Sequence, residues 1–121
     1  MNGQLCYFQI SLPGHLVSVC GLLPPRLSVH YLSVQPVVAL VCPKFSPQPN
    51  PEEVATSFDA PLKVFLEGRE KQHRSEDYDW QGFRFRVHYF DVKGHVVWGL
   101  TAGLLVEAAE AVFGKRARLR I

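Results

Sequence analysis

With 121 residues the chain has material for one domain or part of one. Hydrophobic residues make up 47% and charged residues 20%, a globular balance that excludes a disordered polypeptide. A net charge of only +2 argues against a nucleic-acid-binding domain, and no apolar run reaches the ~18 residues of a membrane span.

The start, "MNGQLCYFQISLPGHLVSV", is apolar but lacks the basic n-region of a secretory signal and the Arg-rich character of a mitochondrial presequence. Leu16 to Leu23 alternates around Val17 and Val19 and reads as a strand, ended by Pro24 and Pro25. Val34 to Cys42 is nearly continuous in apolar residues and reads as a strand buried on both faces, with Pro36 near its start or at a bulge. Pro43 to Pro51 is a proline-punctuated loop. Cys6, Cys20 and Cys42 form neither a metal-ligand spacing nor an even disulfide set, and Cys20 and Cys42 read as buried free thiols.

Asn50-Pro51-Glu52-Glu53 has helix-start chemistry, but the alternation of Val54, Thr56 and Phe58 favours a turn and then a strand to about Asp59. A short amphipathic helix follows, with Pro61 in its first turn, Leu62, Phe65 and Leu66 on one face and Gly68 as its stop. Glu67 to Asp79 mixes both signs with almost nothing apolar and reads as a surface loop. Gly82 to Asp91 alternates: Phe83, Phe85, Val87 and Tyr89 face one way, Arg84, Arg86 and His88 the other. "VKGH" makes a tight turn with Gly94 at the position needing positive φ, and Val96 to Trp98 returns as the partner strand.

The next residues turn abruptly from strand to helix. Leu100, Leu104, Leu105, Ala108 and Val112 mark a helical core face, Glu107 and Glu110 its wet side, and Gly114 its end. Gly99 lets the backbone leave the sheet and leaves no Cβ in the way of close packing, while Thr101 is placed to cap the helix. That corner is either a packing joint or, as helix entries permit, an anion site. "GKRARLRI" at the end reads as a solvated basic tail, and Leu119-Arg120-Ile121 does not match a peroxisomal address.

Catalytic patterns are missing. Glu52-Glu53 and Glu76-Asp77-Asp79 are the carboxylate groupings of note, and the second lies in the charged stretch read as solvated. His15, His30, His73, His88 and His95 show no zinc spacing. There is no nucleophile elbow, no Walker loop and no dinucleotide fingerprint. Arg84 and Arg86 are candidates to grip phosphate, because guanidinium presents a fork of donors; the alternative is a solvated face of an edge hairpin.

"FDAPL" (Phe58 to Leu62), a charged stretch, "HYFD" (His88 to Asp91) and "WGLTAG" (Trp98 to Gly103) occur in this order and separation. With "SLPGHLVSVCGLLPPRLSVHYLSVQPVVALV" before them, they resemble the C-terminal half of the Nudix hydrolases that cleave coenzyme A, of the plant and algal type. The resemblance covers about Ser11 to Phe113. It implies an α/β (α+β) fold, a truncated Nudix-like mixed sheet with a short helix and a C-terminal helix packed on it. It divides the chain into a non-family segment (1–10), a partial Nudix-like domain (11–114) and a basic tail (115–121). The family's chemistry resides in the box G-x5-E-x7-R-E-U-x-E-E-x-G-U, whose carboxylates hold Mg²⁺ or Mn²⁺. The 121 residues contain no match: Arg69-Glu70 is followed by Lys-Gln-His-Arg, and Met1 to Ile10 stands where the box should end.

By resemblance the substrate is coenzyme A or an acyl-CoA, split by metal-activated water into 3′,5′-ADP and 4′-phosphopantetheine or its acyl form. The expectation for this chain alone is that no metal binds well and no catalytic residue is present. Arg84, Arg86, Trp98 and Thr101 are the substrate-binding candidates. Competing expectations are a non-catalytic interaction module, homodimeric through an exposed sheet edge, and a chain that does not fold independently. Neither nucleic acid nor membrane is an expected partner. The expected setting is intracellular, in mitochondria, peroxisomes or cytosol.

Overall fold

The computed structural model describes residues 10–11, 14–28, 31–43, 48–50, 57–69 and 71–119, in two compact units. The first comprises residues up to 27 together with 32–59; the second comprises 28–31 and 60–121. The α+β class expected from the sequence stands, with four antiparallel sheets and two α-helices among the described residues. None of the observed pairings is parallel, so the single mixed sheet is replaced by small antiparallel ones.

In the first unit β1 (Ile10–Ser11) pairs with β6 (Gln48–Pro49), β2 (Val17–Leu22) with β5 (Val37–Val41), and β3 (Arg26–Leu27) with β4 (Ser33–Val34). The register of β2 against β5 slips between Val19 and Gly21, which leaves Cys20 as the extra residue of a bulge. Pro36 precedes β5, as a residue without an N–H should, and its carbonyl accepts from Leu23 N at 3.0 Å. Two expectations fail. β5 is not buried on both faces: Val37, Leu40 and Val41 are exposed, and the strand belongs to a two-stranded ribbon among the described residues. Cys20 is exposed rather than buried, and Cys42 is half-buried. The strand expected from about Val54 lies outside the described residues up to Thr56, and Ser57 to Asp59 form no strand.

The second unit holds the core: Phe65, Leu66, Phe90, Val92, Ala102 and Ala109. Helix α1 (Val64–Glu67) begins after the turn made by Pro61, and its Phe65 and Leu66 are buried. Gly68 ends it in the left-handed region at φ 56°. The expected loop beyond is instead a strand. β7 (His73–Trp80) pairs along its whole length with β8 (Phe83–Val92), through a turn at Gln81 (φ 49°) and Gly82 (φ 83°). A second turn at Lys93 and Gly94, both at positive φ, leads to β9 (His95–Trp98), giving the order β7-β8-β9. β7 was unreadable as a strand because most of its residues are solvent-exposed, so it needs no apolar alternation. Its partner across the Gln81-Gly82 turn supplies the order.

Helix α2 (Gly99–Phe113) closes one face of this sheet. The face it buries is not the expected one. Ala102 and Ala109 are fully buried, Leu105 and Val106 pack against the core, and Val112 is exposed. Apolar residues surround this helix, so hydrophobic periodicity cannot select a face. The alanines win because their small side chains let the helix lie close over Phe90 and Val92. Trp98, not Thr101, occupies the N-cap position, and no side chain caps the helix; Thr101 sits exposed in the first turn. Gly99 does turn the chain at φ 66°, but a Cβ there would meet nothing within 4 Å, so backbone conformation rather than close packing requires glycine. Glu107 and Glu110 are half-buried rather than wet. Glu110 accepts from Ala117 N at 2.9 Å. That bond belongs to a further correction: the basic segment folds back as far as Leu119 instead of trailing in solvent. Arg118 N donates to Leu66 O at 2.7 Å, and Ala117 and Leu119 pack against the core.

Candidate functional site

Strand alternation gives the β7-β8-β9 sheet two chemically distinct faces. Cross-strand register assigns them. Arg84, Arg86, His88, Phe90 and Val92 share one face with Asp79, Asp77, Ser75 and His73 of β7 and with Val97 and His95 of β9. The opposite face carries Phe83, Phe85, Val87 and Tyr89 with Trp80, Tyr78, Glu76 and Arg74, and then Val96 and Trp98.

The first face is charged at the turn end and apolar where α2 covers it. Arg86 makes a two-pronged contact with Asp77, Nε to Oδ1 at 2.8 Å and Nη2 to Oδ2 at 3.3 Å. The Arg86 hydrogen bond holds the Asp77 carboxyl below its usual range, with the charges of Arg86 and Arg84 adding to it. Deeper in, His73 and His88 are stacked with ring centroids 5.1 Å apart, and His73 Nε2 and His88 Nδ1 share a hydrogen bond of 2.9 Å. His73 is buried against Phe90, centroids 4.7 Å apart, and its Nδ1 has no hydrogen-bond partner among the described residues. Burial, then the neighbouring His88, pushes the His73 imidazole below its ordinary value of 6.5. Diagonal cross-strand placement creates this pair, so the missed strand β7 is the reason the sequence did not reveal it.

The second face is aromatic and open. Phe83, Trp98, Trp80, Phe85 and Tyr78 are exposed by 73, 59, 45, 40 and 39%. Trp98 lies parallel to Tyr89 within 7°, centroids 6.0 Å apart, and the Arg74 guanidinium sits 4.2 Å from the Tyr89 ring centre. Tyr78 stacks on Phe85 at 5.8 Å. Its hydroxyl lies 2.7 Å from both the Tyr89 hydroxyl and the Glu76 carboxylate, and these two contacts raise its pKa.

The four substrate-binding candidates therefore do not converge. Arg84 and Arg86 lie on the first face, Trp98 lies on the second, and Thr101 is on α2. Of the grouped carboxylates, Glu52 and Glu53 lie outside the described residues, and the other group does not converge: Glu76 points to one face, Asp77 and Asp79 to the other. Glu76 receives Tyr78 and Arg74, and Asp77 receives Arg86. These residues do not fit a divalent-metal site, which needs several free carboxylate oxygens on one point. No group of three or more His, Cys, Asp or Glu side chains is arranged to hold a metal among the described residues. No helix among them is long and apolar enough to cross a membrane.

No family model matches the chain. Individual relatives do. It is 43% identical over 111 residues to Nudix hydrolase 15, mitochondrial, of Arabidopsis thaliana, covering 87% of this chain and 38% of that protein. Nudix hydrolase 22, chloroplastic, of the same plant is also 43% identical over 111 residues, with 87% and 36% covered. The uncharacterized Nudix hydrolase NudL of Enterobacter sp. (strain 638) is 34% identical over 101 residues, with 84% and 52% covered. The chain thus spans about half the length of the bacterial relative and less than two-fifths of the plant ones. Along most of its own length, this chain is a relative of the Nudix hydrolases.

Proposed function

We propose that the chain carries the scaffold part of a Nudix pyrophosphohydrolase acting on coenzyme A or acyl-CoA, and that these 121 residues alone do not cleave it. The observation that carries this reading is the sequence identity to plant Nudix hydrolases along most of the chain, running through the segments that resemble the coenzyme A type. Each segment is a joint that leads into the second unit or lies within it. "FDAPL" leads into α1, "HYFD" supplies the buried Phe90, and "WGLTAG" makes the turn from β9 into α2.

Mg²⁺ or Mn²⁺ would supply the charge stabilisation and the activated water of pyrophosphate cleavage. The carboxylates Glu76, Asp77 and Asp79 are spread over two faces and cannot replace the box, so the metal-holding residues are assigned to the part of the family's sequence that this chain does not span. What the chain's own residues contribute is rigidity: the core under α2 fixes the β7-β8-β9 sheet. The relatives' names, mitochondrial and chloroplastic, favour an intracellular setting.

The test has two arms. Coenzyme A incubated with the 121-residue chain and Mg²⁺ or Mn²⁺ should yield no 3′,5′-ADP by chromatography; sustained turnover would overturn the inactivity. A chimera, in which the aligned stretch of the Enterobacter NudL relative is replaced by this chain, should cleave coenzyme A in preference to nucleotide sugars. A well-folded chimera that favours nucleotide sugars would overturn the substrate assignment.

A further inference from the structure

The aromatic face of β7-β8-β9 has no role in the reading above. Taking ~200 Å² per ring, its five exposed aromatics leave on the order of 500 Å² of apolar surface open, the upper end of what monomers show. We propose that this face is a docking surface for polypeptide, and that its occupant is the part of the Nudix fold lying outside the stretch shared with the relatives. The inference rests on the Nudix reading for the identity of the occupant.

Four observations carry it. A sheet with helices on one face and aromatics on the other is a domain with one layer uncovered. α1 and α2 already take the Phe90 face. The bacterial relative has about as much sequence outside the shared stretch as inside it, enough for that layer. Polypeptide from far upstream already reaches one corner: Tyr31, whose N–H donates to Ser28 O at 3.0 Å, lies with its ring 5.6 Å from Trp80.

Other occupants fit less well. Small molecules prefer concave sites, whereas this is a pleated sheet face. Two concavities lie elsewhere, around Glu110 to Arg116 and between Lys63 and Arg118. Single-stranded nucleic acid also stacks on aromatic sheets, but it asks for a basic surround. Here Arg74 is balanced by Glu76 on the same face, and the whole chain carries only +2.

The two tryptophans of the chain, Trp80 and Trp98, both lie on this face, so tryptophan emission reports its covering directly. The free chain should emit as solvent-exposed tryptophan, independent of protein concentration. Adding a tryptophan-free version of the NudL residues outside the shared stretch should shift emission to the blue and shield it from acrylamide, without metal or coenzyme A. Phe83→Asp and Val96→Asp, both at exposed positions, should leave the circular dichroism of the free chain unchanged and weaken that complex more than about tenfold.

The chimera gives a second reading that does not depend on a soluble separate fragment: its Trp80 and Trp98 should be shielded whether or not it cleaves coenzyme A. Blue emission already present in the dilute free chain, a blue shift that grows with chain concentration alone, or exposed tryptophans in the folded chimera would each overturn the proposal. The first result means the face is covered from within the chain. The second makes a second copy the occupant. Hydrolysis is read separately, so a failed substrate assignment leaves these outcomes intact.

Discussion

Two glycines with almost the same backbone conformation separate conformational cost from steric cost. Gly68 (φ 56°) and Gly114 (φ 63°) each end a helix in the left-handed region. An alanine in that region costs about 1 kcal/mol, from its Cβ against its own backbone. Around Gly114 a Cβ meets nothing within 4 Å, so Gly114→Ala should cost only that amount. At Gly68 the added Cβ runs into the Arg118 carbonyl oxygen and lies 2.8 Å from Leu119 Cα. Both are backbone atoms and cannot rotate away. Relief requires lifting the 116–119 segment, which breaks the bond from Arg118 N to Leu66 O and exposes Leu119. The bond contributes about 1 kcal/mol and partial burial of a leucine about another. Gly68→Ala should therefore lose about 3 kcal/mol, some 2 more than Gly114→Ala. Urea unfolding followed by far-UV circular dichroism measures both, with equal slopes as the check that the unfolding surface is unchanged. Equal losses for the two variants would refute the folded-back tail.

Phe90 is fully buried and meets Phe65 edge-on at 4.9 Å, so Phe90→Ala should cost about 3–5 kcal/mol in the same assay, while Phe83→Ala, on the open face, should stay within about 0.5 kcal/mol. Stability should fall on acidification below about pH 6.5. The folded-state His73 pKa lies below its ordinary value, so in that window the unfolded chain holds more protons, and the loss reaches at most about 1.4 kcal/mol per pH unit. His73→Phe should flatten this part of the pH profile; an unchanged slope would show that other groups set it. The coenzyme A assay and the tryptophan titration supply the remaining two predictions.

The second unit was partly legible in the sequence because its punctuation is local. Pro61 and Gly68 bound α1, Gly94 marks the β8–β9 turn, and Gly99 and Gly114 bracket α2, each through a backbone demand that holds whatever the surroundings. The family was legible for a related reason: an ordered series of such joints is specific even when each is common. Only tertiary structure decided the rest. β7 is a strand because β8 pairs with it, so its charged residues carried no signal of their own. Which face of α2 is buried depended on how close the helix sits to Phe90, a distance set by alanines that periodicity ranks below leucines. Which face of β8 meets the core depended on Phe90 and Val92 at its end, and they place Arg84 and Arg86 on the helix side and leave the aromatics open. Local backbone chemistry can be read from a chain; the choice between two faces of one strand or helix is made only by what lies across from it.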